Sequence, residues 1–274
     1  MSFLQEAIVD TLLQSGRNKA PDLRDPNMIT QTKLFHTTKH SNNLPWGDDL
    51  LIKEAKVIRI AFRNINSFPI YANDTRNLEF VSDINQGSFD IYGITETNIA
   101  WNRLDRSALP SERFRGKFEA AHWICSNNTQ TADDTKQIQQ SGGTMLVCVN
   151  KLCHKVLTSG KEKMGRWTWL LLRGKSNLKL GVITMYRPVM SMGDMSAYRQ
   201  QKRVLESLDD DTCPREAVLR DLFLFIKEWQ TQGIQIILMG DFNTDVSNRR
   251  FKEKFEAIGL HEIFIRQHGP PPNT

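Results

Sequence analysis

From Val57 onward the chain alternates short apolar runs with turn residues, and runs rich in β-branched or aromatic residues bounded by Gly, Asn or Asp predict strands. They fall at Val57 to Phe62, Phe89 to Thr95, His122 to Ser126, Thr144 to Val149, Trp167 to Leu172, Leu178 to Tyr186 and Ile234 to Met239. Arg173 to Asn177 is predicted as a hairpin loop between two of them. Two helices are expected, at Met195 to Leu208 and Pro214 to Gln232. In the second, Pro214 suits a first turn, Val218, Leu222, Phe225, Ile226 and Trp229 form an apolar stripe, and Gly233 supplies the stop. Strands with interspersed helices predict a mixed α/β domain, and the hairpin-like succession from Thr144 to Tyr186 argues against a purely parallel sheet.

Before Val57 the texture differs. A short helix is expected at Phe3 to Leu13, followed by a polar run through Pro21, Pro26, Ser41, Asn42, Asn43 and Pro45. Residues 1–55 therefore read as an appended polar arm, partly disordered, and residues 56–274 as the domain. Glu6 and Asp10 interrupt the apolar pattern where a signal peptide would have an unbroken one, and no uncharged stretch is long enough to span a bilayer. The expectation is an intracellular protein, nuclear or cytoplasmic and not secreted, with no membrane partner.

The 274 residues, 39% hydrophobic and 24% charged, suffice for a sizeable core and exclude a disordered or fibrous chain. Four cysteines without a CxxC pair fit reduced thiols better than a disulfide framework. Cys148, Cys153 and His154 give only three zinc donors at irregular spacing, a poor match to a structural site. Net charge is +5, with an uneven distribution: Lys151 to Arg203 is strongly basic and Val204 to Glu228 is acidic. The basic stretch is either a stripe tracking a phosphate backbone or the solvated face of a hairpin.

The chemistry concentrates where apolar strands end. The first runs into Arg63-Asn64-Ile65-Asn66, the second ends at Glu96, another at Tyr186-Arg187-Pro188, and the last at Gly240-Asp241-Phe242-Asn243. Alternation puts Asn64 and Asn66 on one side, and Asp241 and Asn243 together with Phe242 anchored opposite. Oxygen donors of this kind suit a hard cation: carboxylates from Glu96 and Asp241, with amide oxygens nearby, would hold Mg²⁺ and leave room for water and a phosphate. Taken singly, each piece is ordinary: Asn64 and Asn66 as turn residues, Glu96 as a cap, Tyr186 as a core aromatic, Asp241 to Asn243 as a loop. Their ordered combination is not.

Asn64-Ile65-Asn66, Ile94-Thr95-Glu96-Thr97, Tyr186-Arg187-Pro188 and Met239-Gly240-Asp241-Phe242-Asn243 resemble, in order and spacing, the motifs of the endonuclease/exonuclease/phosphatase superfamily. Within it the likeness is to apurinic-site nucleases and the endonuclease domains of non-LTR retrotransposons. The resemblance implies a four-layer sandwich of two packed mixed β-sheets flanked by helices. It implies that Glu96 and Asn64 serve a Mg²⁺ (or Mn²⁺) ion and that Asn64, Asn66 and Arg187 contact substrate. Tyr186, Asp241 and Asn243 would be the catalytic set, with Tyr186 bonding the phosphate, Asp241 handling a proton and Asn243 holding the phosphate. Such proteins close with a Ser-Asp-His block, which does not follow Asn243; neither His261 nor His268 has that context. A fragment lacking its C-terminal strands and impaired in turnover is therefore expected, since a general base contributes about 10²- to 10⁴-fold.

The function expected is that of a Mg²⁺-dependent, endonuclease-like phosphodiesterase acting on nucleic acid, DNA ahead of RNA. One alternative is a phosphatase of inositol phosphates or other small phosphate esters. Another is a non-catalytic nucleic-acid-binding remnant of a mobile element, using the basic stripe with Trp167, Trp169 and Tyr198 as stacking groups.

Overall fold

The computed structural model describes residues 52–128, 137–246 and 248–263, together with the backbone of residues 4–8. In chain order the elements are β1 (Leu4–Ile8), β2 (Arg59–Asn64), α1 (Thr75–Gly87), β3 (Ile91–Thr95), α2 (Pro110–Arg113), β4 (Ala121–Ser126), β5 (Thr144–Val149) and β6 (Val156–Lys161). They continue with β7 (Trp167–Arg173), β8 (Lys179–Tyr186), α3 (Ala197–Ser207), α4 (Pro214–Thr231), β9 (Ile234–Asp241) and α5 (Arg249–Glu256). One sheet has the order β1-β2-β3-β5-β4 and the other β6-β7-β8-β9. Both are mixed. Each contains a single parallel pair, β2 with β3 and β8 with β9, and antiparallel neighbours otherwise.

A parallel pair needs a crossover, and helices supply both: α1 between β2 and β3, α3 and α4 between β8 and β9. This topology places the C-terminal ends of paired strands side by side, where α/β proteins gather their sites. β2 faces β9 across the interior, and β3 faces β8 and β9. Alternation explains the layers. Ile60, Ile91, Leu146, Cys148, Leu170, Leu172, Leu180 and Val182 fill the space between the sheets. Tyr92, Ile94, Met145 and Val147 turn outward against Phe80 and Ile84 of α1, with Phe68, Trp101 and Phe114. Trp167, Ile183 and Met185 pack against Val218, Leu222, Ile226 and Trp229 of α4 and Phe251 of α5. The result is the expected four-layer α/β sandwich. Each fully buried aliphatic side chain contributes about 1.5–3 kcal/mol.

Toward the end that carries the polar motifs the inter-sheet filling changes from hydrocarbon to hydroxyl. One row across the first sheet reads Asn64, Thr95, Thr144, Ser126 in register. Thr168 and Thr184 are partners in the second sheet. Thr95, Thr144, Thr168 and Thr184 are all fully buried.

Two expectations need correction. The N-terminal helix does not form over Leu4–Ile8, which is a strand antiparallel to β2; the rest of that expectation lies outside the described residues. The outer edge of β2 presents unpaired backbone groups, and an adjacent segment satisfies them by pairing. The basic stretch also fails to form one stripe. Arg173, Lys175 and Lys179 lie at the β7–β8 hairpin and Lys151 and Lys155 just beyond β5, at the end opposite the polar motifs. Arg166 and Arg187 are buried, 3% and 6% exposed.

Candidate active site

The two parallel pairs deliver the motifs to one mouth, because Asn64 is the last residue of β2, Glu96 follows β3, Tyr186 ends β8 and Asp241 ends β9. Asn64 Nδ2 donates to Asp241 Oδ2 at 2.6 Å, joining one sheet to the other. Asn64 Oδ1 accepts from the Asn66 N–H at 3.0 Å. Asp241 Oδ1 accepts from the Asn243 N–H at 2.9 Å, and Asn243 Nδ2 donates to the Arg187 carbonyl at 2.7 Å. Tyr186 lies beside Asp241 in the β8–β9 register. Burial, the Glu96 carboxylate and a hydrogen bond to it, and then Asp241, raise the Tyr186 pKa well above that of a free phenol. Its O–H is therefore retained as a donor at neutral pH. The site thus unites Asn64, Glu96, Tyr186, Asp241 and Asn243, with Asn66 exposed at the rim.

Left-handed backbone occurs at the mouth, as it does at several turns elsewhere among the described residues. Asn66, Glu96 and Asn243 all sit at positive φ, 44°, 53° and 46°. This region is costly for side-chain-bearing residues and persists only where the surroundings enforce it. At Glu96 the enforcement is visible: its carbonyl accepts from Ser67 N–H at 2.7 Å, and the next carbonyl, of Thr97, from Phe68 N–H at 2.8 Å. The turn after β3 is stitched to the turn after β2. Asn98 adds a second support, its Oδ1 accepting from Gly142 N–H at 2.8 Å. Gly142 needs to be glycine, since its φ is 87° and a Cβ there would lie 3.5 Å from the Tyr186 ring and 3.1 Å from Ala197.

Arg187, expected to meet substrate, does something else. Its guanidinium is buried and donates to the Arg215 carbonyl (2.9 Å), the Phe242 carbonyl (3.3 Å), Thr244 Oγ1 and Glu216 Oε1 (3.1 Å). A planar fork surrounded by protein acceptors holds the β8 and β9 ends together and has little surface left for a ligand. Arg215 and Thr244 join this network, and neither was marked by the sequence. Arg215 is the second residue of an ordinary helix start and Thr244 follows the last motif, so nothing local distinguishes them.

The other expected groups do not line the mouth. Trp167 is 4% and Tyr198 7% exposed, and Trp167 and Trp169 pack against Phe225. Trp167 and Tyr198 are therefore core aromatics and offer no stacking platform. Cys153 Sγ approaches the Cys148 carbonyl at 3.1 Å, and among the described residues no three His, Cys, Asp or Glu side chains form a metal-binding group. His122 and His154 lie toward the opposite end of the sheets, and His261 is exposed beyond α5. His268 lies outside the described residues. Among the described residues no helix is long and apolar enough to cross a membrane.

The motif series resembles that of the endonuclease/exonuclease/phosphatase superfamily, and the two packed mixed sheets are of the fold that resemblance implies. No family model and no curated protein matches the chain. Solved structures do. The human Nocturnin catalytic domain with bound sulfate is 13% identical over 66% of this chain and 61% of its own, with a TM-score of 0.40. The Neisseria 3′ phosphatase NExo bound to product DNA hairpin is 14% identical over 69% and 59%, TM-score 0.41. The AP endonuclease LMAP from Leishmania major is 11% identical over 68% and 55%, TM-score 0.47. The chain covers 55% to 61% of the length of these three proteins.

Proposed function

We propose that the mouth is a phosphodiesterase site acting on the backbone of nucleic acid, DNA ahead of RNA, with Mg²⁺ (or Mn²⁺) as cofactor. The observation that carries this reading is the hydrogen-bonded set Asn64–Asp241–Asn243, with Tyr186 and Glu96 at the same strand ends. The donor set fits a hard divalent ion. Glu96 and Asp241 are carboxylates and Asn64 brings an amide oxygen, and Mg²⁺ needs only one or two carboxylates while keeping several waters. Glu96 and Asn64 would hold the ion, which when bound supplies Lewis-acid polarisation of a phosphoryl oxygen.

The remaining work falls to the chain's own residues. The protonated Tyr186 hydroxyl donates a hydrogen bond to a non-bridging phosphate oxygen. Asp241, oriented by Asn64 Nδ2 and the Asn243 N–H, takes or returns a proton at the attacking or leaving oxygen. Asn243 retains one amide N–H beyond its bond to the Arg187 carbonyl, and this donor steadies the phosphate without adding charge. Residues 56–274 are the functional unit, and the preceding stretch is an appendage whose described residues place β1 on the sheet edge.

The test is nicking of supercoiled plasmid by the purified chain in Mg²⁺ and in EDTA, beside Glu96→Ala and Asp241→Ala. Nicking abolished by EDTA and by each substitution is expected. Nicking that survives both substitutions removes the site, and phosphate release from a small ester without nicking would move the substrate class to phosphatase.

A further inference from the structure

We propose that Arg215 is a positioning residue for this site, bracketing the turn after β9 to the turn after β8 so that Asn243 and Asp241 keep their working geometry. The inference rests on the phosphodiesterase reading and extends it to a residue on α4. Arg215 Nη1 donates to the Pro188 carbonyl at 2.6 Å, and Nη2 donates to the Asn243 carbonyl and to Thr244 Oγ1, both at 2.8 Å. One guanidinium therefore grips both motif loops. Arg187 reinforces it from the other side, because Thr244 Oγ1 accepts from both guanidinium groups. Two cations this close repel, and Glu216 offsets them: its Oε1 meets Arg187 at 3.1 Å, and its Oε2 meets Lys254 of α5 at 2.7 Å.

The bracket matters because of what it holds. Asn243 lies at φ 46°, in the left-handed region that asparagine enters more readily than other L-residues but that still gives way to negative φ when its tethers are removed. Its three tethers are the N–H to Asp241 Oδ1, the side chain to the Arg187 carbonyl, and the carbonyl to Arg215. Of these, only the Arg215 bond reaches outside the motifs themselves. Without it the carbonyl can rotate, and the turn relaxes toward ordinary negative φ. That rotation moves the Asn243 amide and withdraws the N–H that orients Asp241. Lysine substitutes only in part, since a single ammonium lacks the fork that spans the Pro188, Asn243 and Thr244 acceptors together.

The experiment compares Arg215→Met, which keeps the aliphatic stem, with Arg215→Lys and Thr244→Val in the full chain. Amide hydrogen exchange is followed by NMR at Asn243, Arg187 and Val182, the last in mid-β8 as a reference. Nicking is measured as kcat and KM in Mg²⁺. Arg215→Met is expected to speed exchange at Asn243 and Arg187 about tenfold with Val182 unchanged, with smaller effects in the other two variants. kcat should fall about 10- to 100-fold at constant KM and constant salt dependence. In an Asn243→Ala background the same substitution should cost little further, as expected for two residues acting as one unit. Unchanged exchange at Asn243, or equal acceleration at Val182, would overturn the proposal. A raised KM with a shallower salt dependence would also overturn it, identifying a phosphate contact instead. A wild-type chain that does not nick refutes the phosphodiesterase reading, while the exchange measurements still decide whether Arg215 holds the turn.

Discussion

Glu96 offers a substitution series in which backbone and side chain pull in opposite directions. Its φ of 53° falls in the left-handed region, which costs an L-residue roughly 1–2 kcal/mol and a glycine almost nothing. At an unstrained position glycine is less stable than alanine by roughly 0.5–1 kcal/mol, because it loses more freedom on folding. Combining the two, Glu96→Gly should be more stable than Glu96→Ala by up to about 1.5 kcal/mol, with a central value of about 0.7 kcal/mol, a reversal of the usual order. Both variants lose the Tyr186 contact and the carboxylate, so these cancel in the comparison, and both keep the Glu96 carbonyl as acceptor for Ser67 N–H. For a domain of this size the difference corresponds to about 2–4 °C per kcal/mol in Tm. Urea titrations of both variants at pH 7 provide the assay, with the midpoint shift converted through the common m-value. Neither variant should nick plasmid. An alanine variant as stable as the glycine variant, or more so, would show that the turn after β3 is not strained in solution.

Asp241→Asn, which keeps one of the two acceptor oxygens, should abolish nicking and cost less stability than Asp241→Ala, which should lose about 1.5–3 kcal/mol because Asn64 Nδ2 and the Asn243 N–H both lose their acceptor; paired activity and urea curves check both. Gly165→Ala should be among the most damaging single changes in the second sheet, since φ is 72° and a Cβ would lie 1.8 Å from the Asn127 carbonyl oxygen; soluble yield and circular dichroism report it. Burial lowers the His122 pKa below its ordinary 6.5. The unfolded chain then takes up a proton that the native state refuses, so stability should fall as pH drops from about 6.5 toward the lower native value. The urea midpoint should decline over that window in wild type and decline less in His122→Gln. An unchanged pH dependence in the variant would remove His122 as the source.

Strands with a full apolar set were legible in the sequence because each packs on two layers: Thr144–Val149 occurs as expected, and β3, β7, β8 and β9 differ only at their ends. What escaped was half-exposed. β6 reads VLTSGK, an edge strand with most side chains exposed or half-buried, and carries too little alternation to announce itself. α1 buries only Asn77, Phe80, Ile84 and Gly87, while Leu78 is 65% exposed, so its apolar residues do not trace a clean stripe. Its boundaries come from local chemistry, Asp74 capping through Arg76 N–H and Ser88 closing in the left-handed conformation. The five polar residues of the mouth were legible because strand ends repeat a short vocabulary of Asn, Glu and Asp. Arg215 was not, since its role depends on where α4 begins in space rather than on any neighbour in sequence. The basic run from Lys151 to Arg203 misled for the converse reason: a hairpin folds one continuous stretch to both ends of a sheet.

The bond from Asn64 to Asp241 ties the terminus of one sheet to the terminus of the other. Spacing between the layers and alignment at the mouth are thus a single mechanical variable. A bulkier side chain in place of Ile60 or Val182 would prise the two leaves apart like a wedge in a hinge. The loss would register as a lengthened contact at the opening together with about 1–3 kcal/mol of overpacking strain. Residues that never approach a phosphate would thereby set how well the machinery is tuned.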